Sequence, residues 1–325
     1  MTAAVERFTI QIDALSAILS KTKNQREKGK YFYRNKARDV LFRLEALCRL
    51  YREIHDKKLF DVWYKKFKAL EDVLGVMDYH ESLYLEFTNY RELKKQAEKI
   101  YLGKFEEESQ YLTEILREEG WLAGTALNDF REIVNHAEWK PEAEDALAYG
   151  LVMCSELDKV VNRYREGELS PFKIEEGVHE FRRRIRWVSI YASASNGLVQ
   201  LRKNDTLQSS LKTYCTPQVI ASPFNTMPKQ KGLRYSIVIQ APAFYALSWM
   251  INELGTLKDD GFRYENLLSL INVSGKDQQA LRKKFMATCQ SDPVLVCENA
   301  ERLMDEFIYR DMIPERIRRD IKRSF

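Results

Sequence analysis

Apolar residues along this chain return mostly every three or four positions. Leu41, Leu44, Leu47, Cys48 and Tyr51 fall on one helical stripe, and Phe60, Trp63, Phe67, Leu70 and Leu74 fall on another. This period predicts helices at about 4–21, 30–55, 58–76, 79–100, 104–119, 122–136, 141–166, 171–199, 242–258, 262–273, 276–289, 293–309 and 314–323. Ser170-Pro171 marks one start, because serine caps a helix N-terminus well and proline suits the first helical position. The period fails over residues 204–241, where four X-Pro steps surround the β-prone run Tyr235 to Ile239. A long excursion with room for a short hairpin is expected there, a candidate lid between two helices.

Two stretches about 150 residues apart follow one plan. Each begins with a basic helix, Tyr31-x-x-Arg34-x-x-x-Arg38 in the first and His179-x-x-Arg182-x-x-x-Arg186 in the second. Each continues to a helix expected to end at Leu-Gly before an acid, Leu74-Gly75 before Asp78 and Leu254-Gly255 before Asp259. The predicted fold is therefore all-α, two helical-bundle repeats related by pseudo-two-fold symmetry. The first covers residues 1–140, an acidic helix at 141–170 connects them, and the second covers 171–325 with the 204–241 excursion and a basic last helix.

Composition agrees with this plan. At 325 residues and 45% hydrophobic, the chain can bury a substantial core, and 13 glycines with 8 prolines are too few for many short strands. No stretch approaches the roughly 18 apolar residues needed to cross a bilayer, and the first residues lack a signal-peptide pattern, so a cytoplasmic location is expected. The five cysteines are scattered, without metal or redox spacing, which suggests buried thiols and no zinc site. Net charge is only +4, but it is segregated. The first sixty residues and the stretch from Arg316 to Arg323 are basic, whereas residues 101–170 are acidic.

Segregation directs attention to the two basic helices. Offsets of three and four residues put His179, Arg182 and Arg186 on one face spanning about 10 Å, with Arg183 beside them. Arg184 has Glu180 one turn before it, but Arg182 and Arg186 have no carboxylate three or four residues away on their own helix. The same holds for Arg34 and Arg38. If the first helix continues through Gly29, Lys30 and Arg26 lengthen that stripe to about 18 Å. The competing reading pairs these arginines across helices with acids such as Asp78 or Asp259.

The stretch Val178-His179-Glu180-Phe181-Arg182-Arg183-Arg184-Ile185-Arg186, with the two Leu-Gly segments, resembles the CHAD family, the conserved histidine α-helical domain. The likeness spans about residues 25–310. It implies paired four-helix bundles around a basic cavity that binds inorganic polyphosphate, lined here by Lys30, Tyr31, Arg34, Arg38, His179, Arg182, Arg183 and Arg186. Tyr31 stands where the family pattern has a histidine, Asp78 lies one position early relative to Asp259, and Ser189 stands where a basic residue often follows. The triphosphate-tunnel strand pattern Glu-x-Glu-x-Lys, which often accompanies such domains, does not occur, so a stand-alone binding protein is implied.

Arginine forks suit phosphate oxygens through charge-assisted hydrogen bonds. Nucleic acid is the rival ligand, with Arg316, Arg318, Arg319, Lys322 and Arg323 as its candidate contacts. A metal-dependent phosphohydrolase is the rival from another class. His55, His80, His136 and His179 are far apart in sequence and show no ligand spacing, and no glycine-rich phosphate loop is present. The expectation is thus binding without catalysis and without a cofactor or metal.

Overall fold

The apolar period becomes helix almost throughout the computed structural model, which describes residues 2–203, 209–228, 234–272, 278–286 and 293–325. Cys289, and parts of the predicted 204–241 excursion and 276–289 helix, lie outside these residues. The described cysteines are free thiols. No described helix is long and apolar enough to cross a membrane. The chain divides into two units, Met1–Trp139 with Leu267–Phe285 and Lys140–Asn266 with Met286–Phe325, and each is described by itself.

The first unit opens with α1 (Ala3–Lys23), whose first turn is capped by the Thr2 hydroxyl accepting the Val5 N–H. Helices α2 (Lys28–Arg34), α3 (Ala37–Ile54) and α4 (Lys57–Phe87) follow. Then come α5 (Lys94–Ala97), a π turn at Glu98–Leu102, α6 (Gly103–Glu118) and α7 (Thr125–His136). Only His55 and Asp56 join α3 to α4, which forces an antiparallel pair, and the Asp56 carboxylate caps α4 by accepting the Leu59 N–H at 2.9 Å. Phe8, Tyr51, Phe60, Phe130 and Trp139 interlock at ring-centroid distances of 5.1–6.1 Å. Arg7 is almost fully buried among them and donates from Nη1 to the Tyr51 hydroxyl at 2.6 Å.

Three predictions change in this unit. The expected 30–55 helix breaks at Lys36, which adopts φ 58°, so Arg34 and Arg38 sit on different helices and Arg26 lies before α2 starts. The 18 Å stripe is therefore not formed. Gly29 is at a close approach of α2 to α6, where a Cβ would lie 2.1 Å from the Ser109 carbonyl oxygen. Leu74-Gly75 does not end a helix either, because α4 runs on to Phe87.

The second unit contains α8 (Glu142–Arg165), a π turn at Ile174–His179, α9 (Glu180–Ala194) and β1 (Val199–Arg202). Short α10 (Pro217–Ile220), β2 (Ile237–Gln240) and the long α11 (Ala241–Asn272) follow, α11 counting to the second unit as far as Asn266. The chain then runs through α12 (Gln278–Met286), which up to Phe285 belongs to the first unit, and the second unit resumes with α13 (Pro293–Asp305), a π turn at Glu306–Arg310 and α14 (Ile313–Lys322). The acidic helix α8 packs on α9 and α14 within this unit. Its Tyr149 is buried and donates to the Tyr191 carbonyl at 2.7 Å.

Here too the sequence reading is corrected. Ser170 forms a turn, its carbonyl taking the Lys173 N–H, and the helix starts at Ile174. Leu254-Gly255 lies inside α11, as does Gly261, against which Ile174 packs. The β-prone run does form a strand, but β1 and β2 pair in parallel, Val199 opposite Ile237, so the excursion is a crossover and not a hairpin. The described stretch 209–228 is pinned down: Tyr214 packs at a tilt against Trp249 with centroids 5.0 Å apart and hydrogen-bonds buried Asp311, which Arg310 also holds at 2.8 Å.

Candidate functional site

The first basic segment meets carboxylates from neighbouring helices. Lys30 Nζ is 2.8 Å from Glu27 and 2.7 Å from Glu106 on α6, and these partners raise its pKa, Glu106 first. Tyr31 is half-buried on α2, its carbonyl taking the Asn35 side-chain amide at 2.7 Å. Arg34, largely exposed, reaches Glu81 of α4 at 3.5 Å. Arg38 is gripped more firmly: Nε donates to Glu71 at 2.8 Å and Nη1 to Asp78 at 2.9 Å. Sequence reasoning missed Tyr33, whose hydroxyl donates to Glu81 at 2.9 Å; burial, then those acids, push its pKa up.

A third carboxylate lies close to Glu71. Glu45 of α3 is buried, with Oε2 lacking a hydrogen-bond partner among the described residues. Burial and the nearby Glu71 carboxylate push its pKa up to about 8.

In the second unit, the basic cluster is built at the start of α9. His179 ends the π turn, its Nδ1 3.1 Å from a Glu175 carboxylate oxygen. Burial lowers its pKa; Glu175 opposes that, and the charges of Lys258 and Arg182 push it further down. The Phe262 ring lies edge-on to His179 and takes Lys258 Nζ over its face, 5.5 Å from the centroid. Arg183 and Arg184 share Glu180, at 2.5 and 2.6 Å, and Lys258 pairs with Asp259 at 2.7 Å. Arg186 is half-buried one turn beyond Arg182.

Arg182 is held differently. Its Nε donates to the Ile251 backbone carbonyl at 2.8 Å, and its guanidinium lies flat across Gly255, where a Cβ would come within 2.9 Å of Nε. The first unit repeats this device: Arg38 lies across Gly75, where a Cβ would be 2.8 Å from Nη2, and its Nε bonds Glu71. Both acceptors, Glu71 and Ile251, stand four residues before the glycine. The glycines predicted as helix ends are therefore mid-helix seats for an arginine. In its seating Arg38 resembles Arg182, whereas the spacing of the basic residues had set Arg34 against Arg182.

No family model matches this chain, and neither a curated protein nor a solved structure matches it.

An open concavity runs along α13 in the second unit, lined by Glu298, Glu301, Arg302, Asp305, Glu306, Tyr309 and Arg310. It is acidic rather than basic and includes none of the predicted site residues. Of the groups that sequence reasoning missed, Lys258 was visible as a cation three residues after Gly255. The Ile251 carbonyl had no signal, because every residue carries one.

Proposed function

We propose that the second unit binds a phosphate-rich polyanion, inorganic polyphosphate being the ligand whose chemistry fits best, on the surface where α9 meets α11. Arg182 is the fixed contact, Arg183, Arg186 and Lys258 supply further positive charge, and His179 contributes a ring hydrogen bond. Lys30, Tyr31, Arg34 and Arg38 of the first unit are secondary, because there Glu71 and Asp78 clamp both edges of the Arg38 fork and Glu106 holds Lys30. In the second unit Glu180 and Asp259 draw on Arg183 and Lys258, which makes those two auxiliary to Arg182. The observation that carries this reading is the seating of Arg182: its Nε bonds a neutral carbonyl on a glycine seat, beside Lys258 and His179. A guanidinium fixed before the ligand arrives loses less freedom on binding. The likeness of Val178–Arg186 to the CHAD motif supports the same ligand class.

Hydrogen bonds to sheltered charged groups contribute about 1.5–3 kcal/mol each, so a few such contacts are enough for affinity near the micromolar range, about 8 kcal/mol. Titration with polyphosphate of defined length tests the reading. The Arg182→Glu/Arg186→Glu double variant should lose retention while keeping nearly all its helicity, and retained binding by the folded variant would refute it. Competition against duplex DNA of equal charge separates polyphosphate from nucleic acid, the second ligand. Phosphate release from polyphosphate that disappears on His179→Gln would replace binding by catalysis.

A further inference from the structure

The last helix presents a second charged surface, independent of the α9–α11 site. Ile313, Ile317 and Ile321 bury one side of α14, while Arg319, Lys322 and Arg323 are exposed on the other. These three positions are spaced i, i+3, i+4 and fall within one turn, about 6 Å of helix. Among the described residues none of the three has a carboxylate partner. The nearby acids are occupied: Asp158 and Glu315 hold Arg318, and Asp320 accepts the Gln240 N–H at 2.9 Å. The C-terminal end of the helix dipole favours cations in this last turn, which leaves the three charges open to an external anion.

Apolar side chains flank this charge. α8 runs antiparallel along α14: Gly150 abuts Ile321 and Phe325, the Cys154 thiol points to the Arg318 carbonyl, and Asp158 meets Arg318. Leu147 and Leu151 share the α8 face of Cys154 and Asp158 by helical spacing, yet are 42% and 52% exposed. Lys322 is exposed one turn beyond Arg318, the residue that α8 meets through Asp158, and the Phe325 ring is half exposed over Gly150. A nucleic-acid backbone would match the three cations and leave both leucines in water. A bilayer surface with anionic headgroups matches both, since phosphates and the acyl boundary lie side by side there.

We propose that Arg319, Lys322 and Arg323, with Leu147 and Leu151 beside them, dock the second unit onto an anionic lipid surface. The test is flotation of the full chain with phosphatidylcholine vesicles, with and without phosphatidylserine. The chain should float with the acidic vesicles and not with the neutral ones. The Arg319→Gln/Lys322→Gln/Arg323→Gln variant should bind acidic vesicles more than about tenfold more weakly. Leu147→Ser/Leu151→Ser, at unchanged charge, should lose about three- to tenfold. All five substitutions are at exposed positions, and helicity measured by circular dichroism checks folding. Arg182→Glu/Arg186→Glu should float like the original chain, which separates this surface from the polyphosphate site. Failure to float, or flotation unchanged by the triple variant, overturns the proposal. So does a loss confined to the triple variant with the leucine pair neutral, since that marks a phosphate-backbone surface such as a duplex would fill.

Discussion

Arg38 and Arg182 are laid across a helix in the same way, each over a glycine and each bonded through Nε to a group four residues before it. In the first unit that group is the Glu71 carboxylate, with Asp78 on the other edge of the fork, and the arginine becomes part of an ion-pair clamp. In the second it is a backbone carbonyl, so this particular bond fixes the guanidinium through a neutral acceptor. The same seat thus takes a charged acceptor in one unit and a neutral one in the other, and the proposed ligand site rests on the second. The first unit surrounds Lys30, Arg34 and Arg38 with Glu27, Glu71, Asp78, Glu81 and Glu106. The second concentrates four arginines in the five residues from Arg182 to Arg186.

Replacing each arginine by methionine should separate the two roles most strongly. Arg38→Met leaves Glu71, which is nearly buried, without its partner and beside Glu45, so unfolding by urea should show a loss of about 2–3 kcal/mol. Arg182→Met should cost about 1 kcal/mol, but weaken polyphosphate binding more than Arg38→Met does. Equal stability losses with equal affinity losses would erase the contrast.

Glu45 gives the next largest effect. Its folded pKa, about 8, is above the ordinary glutamate value, so the protonated form is preferred in the folded state. The stability this contributes is present below the ordinary glutamate pKa and disappears as pH rises toward 8. Glu45→Gln should therefore stabilise the protein at pH values above 8 by about 1–3 kcal/mol and have little effect in mild acid. A melting temperature for Glu45→Gln that falls in alkali would contradict this.

The glycine seats come third. Gly255→Ala pushes the Arg182 fork aside and should weaken polyphosphate binding about three- to tenfold, a shift of roughly 1 kcal/mol. Gly75→Ala should change stability and leave the titration nearly unmoved. The smallest effect is from His179. Its pKa lies below the ordinary histidine value, so the imidazole charges only as pH falls beneath that range, and affinity should rise about twofold there. His179→Gln should flatten the rise. The same shift means that His179 favours folding at higher pH, with that contribution lost as pH falls through its folded pKa.

Helices and core were legible in the sequence because burial follows the three-to-four-residue period. The stripe at Leu41, Leu44, Leu47, Cys48 and Tyr51 is buried as its spacing predicts. Ends were harder. The period runs smoothly past Lys36, where the chain takes a left-handed turn, and glycine at 75 and 255 reads as a stop although tertiary contact with an arginine is the reason for it. The basic residues proposed for the candidate site were chosen from their offsets on the assumption of one continuous helix in each half. Their partners were not legible, because Glu71, Glu81, Glu106 and the Ile251 carbonyl come from other helices, and sequence offsets only report neighbours on the same one.

Calorimetric titration of one polyphosphate preparation against two charge-neutralised chains tests the central claim most directly. Arg182→Gln/Arg186→Gln should weaken binding at least tenfold, and Arg34→Gln/Arg38→Gln less than about twofold after correction for the unfolded fraction. The reverse order, or equal losses in both, would contradict the assignment of the anion to the second unit.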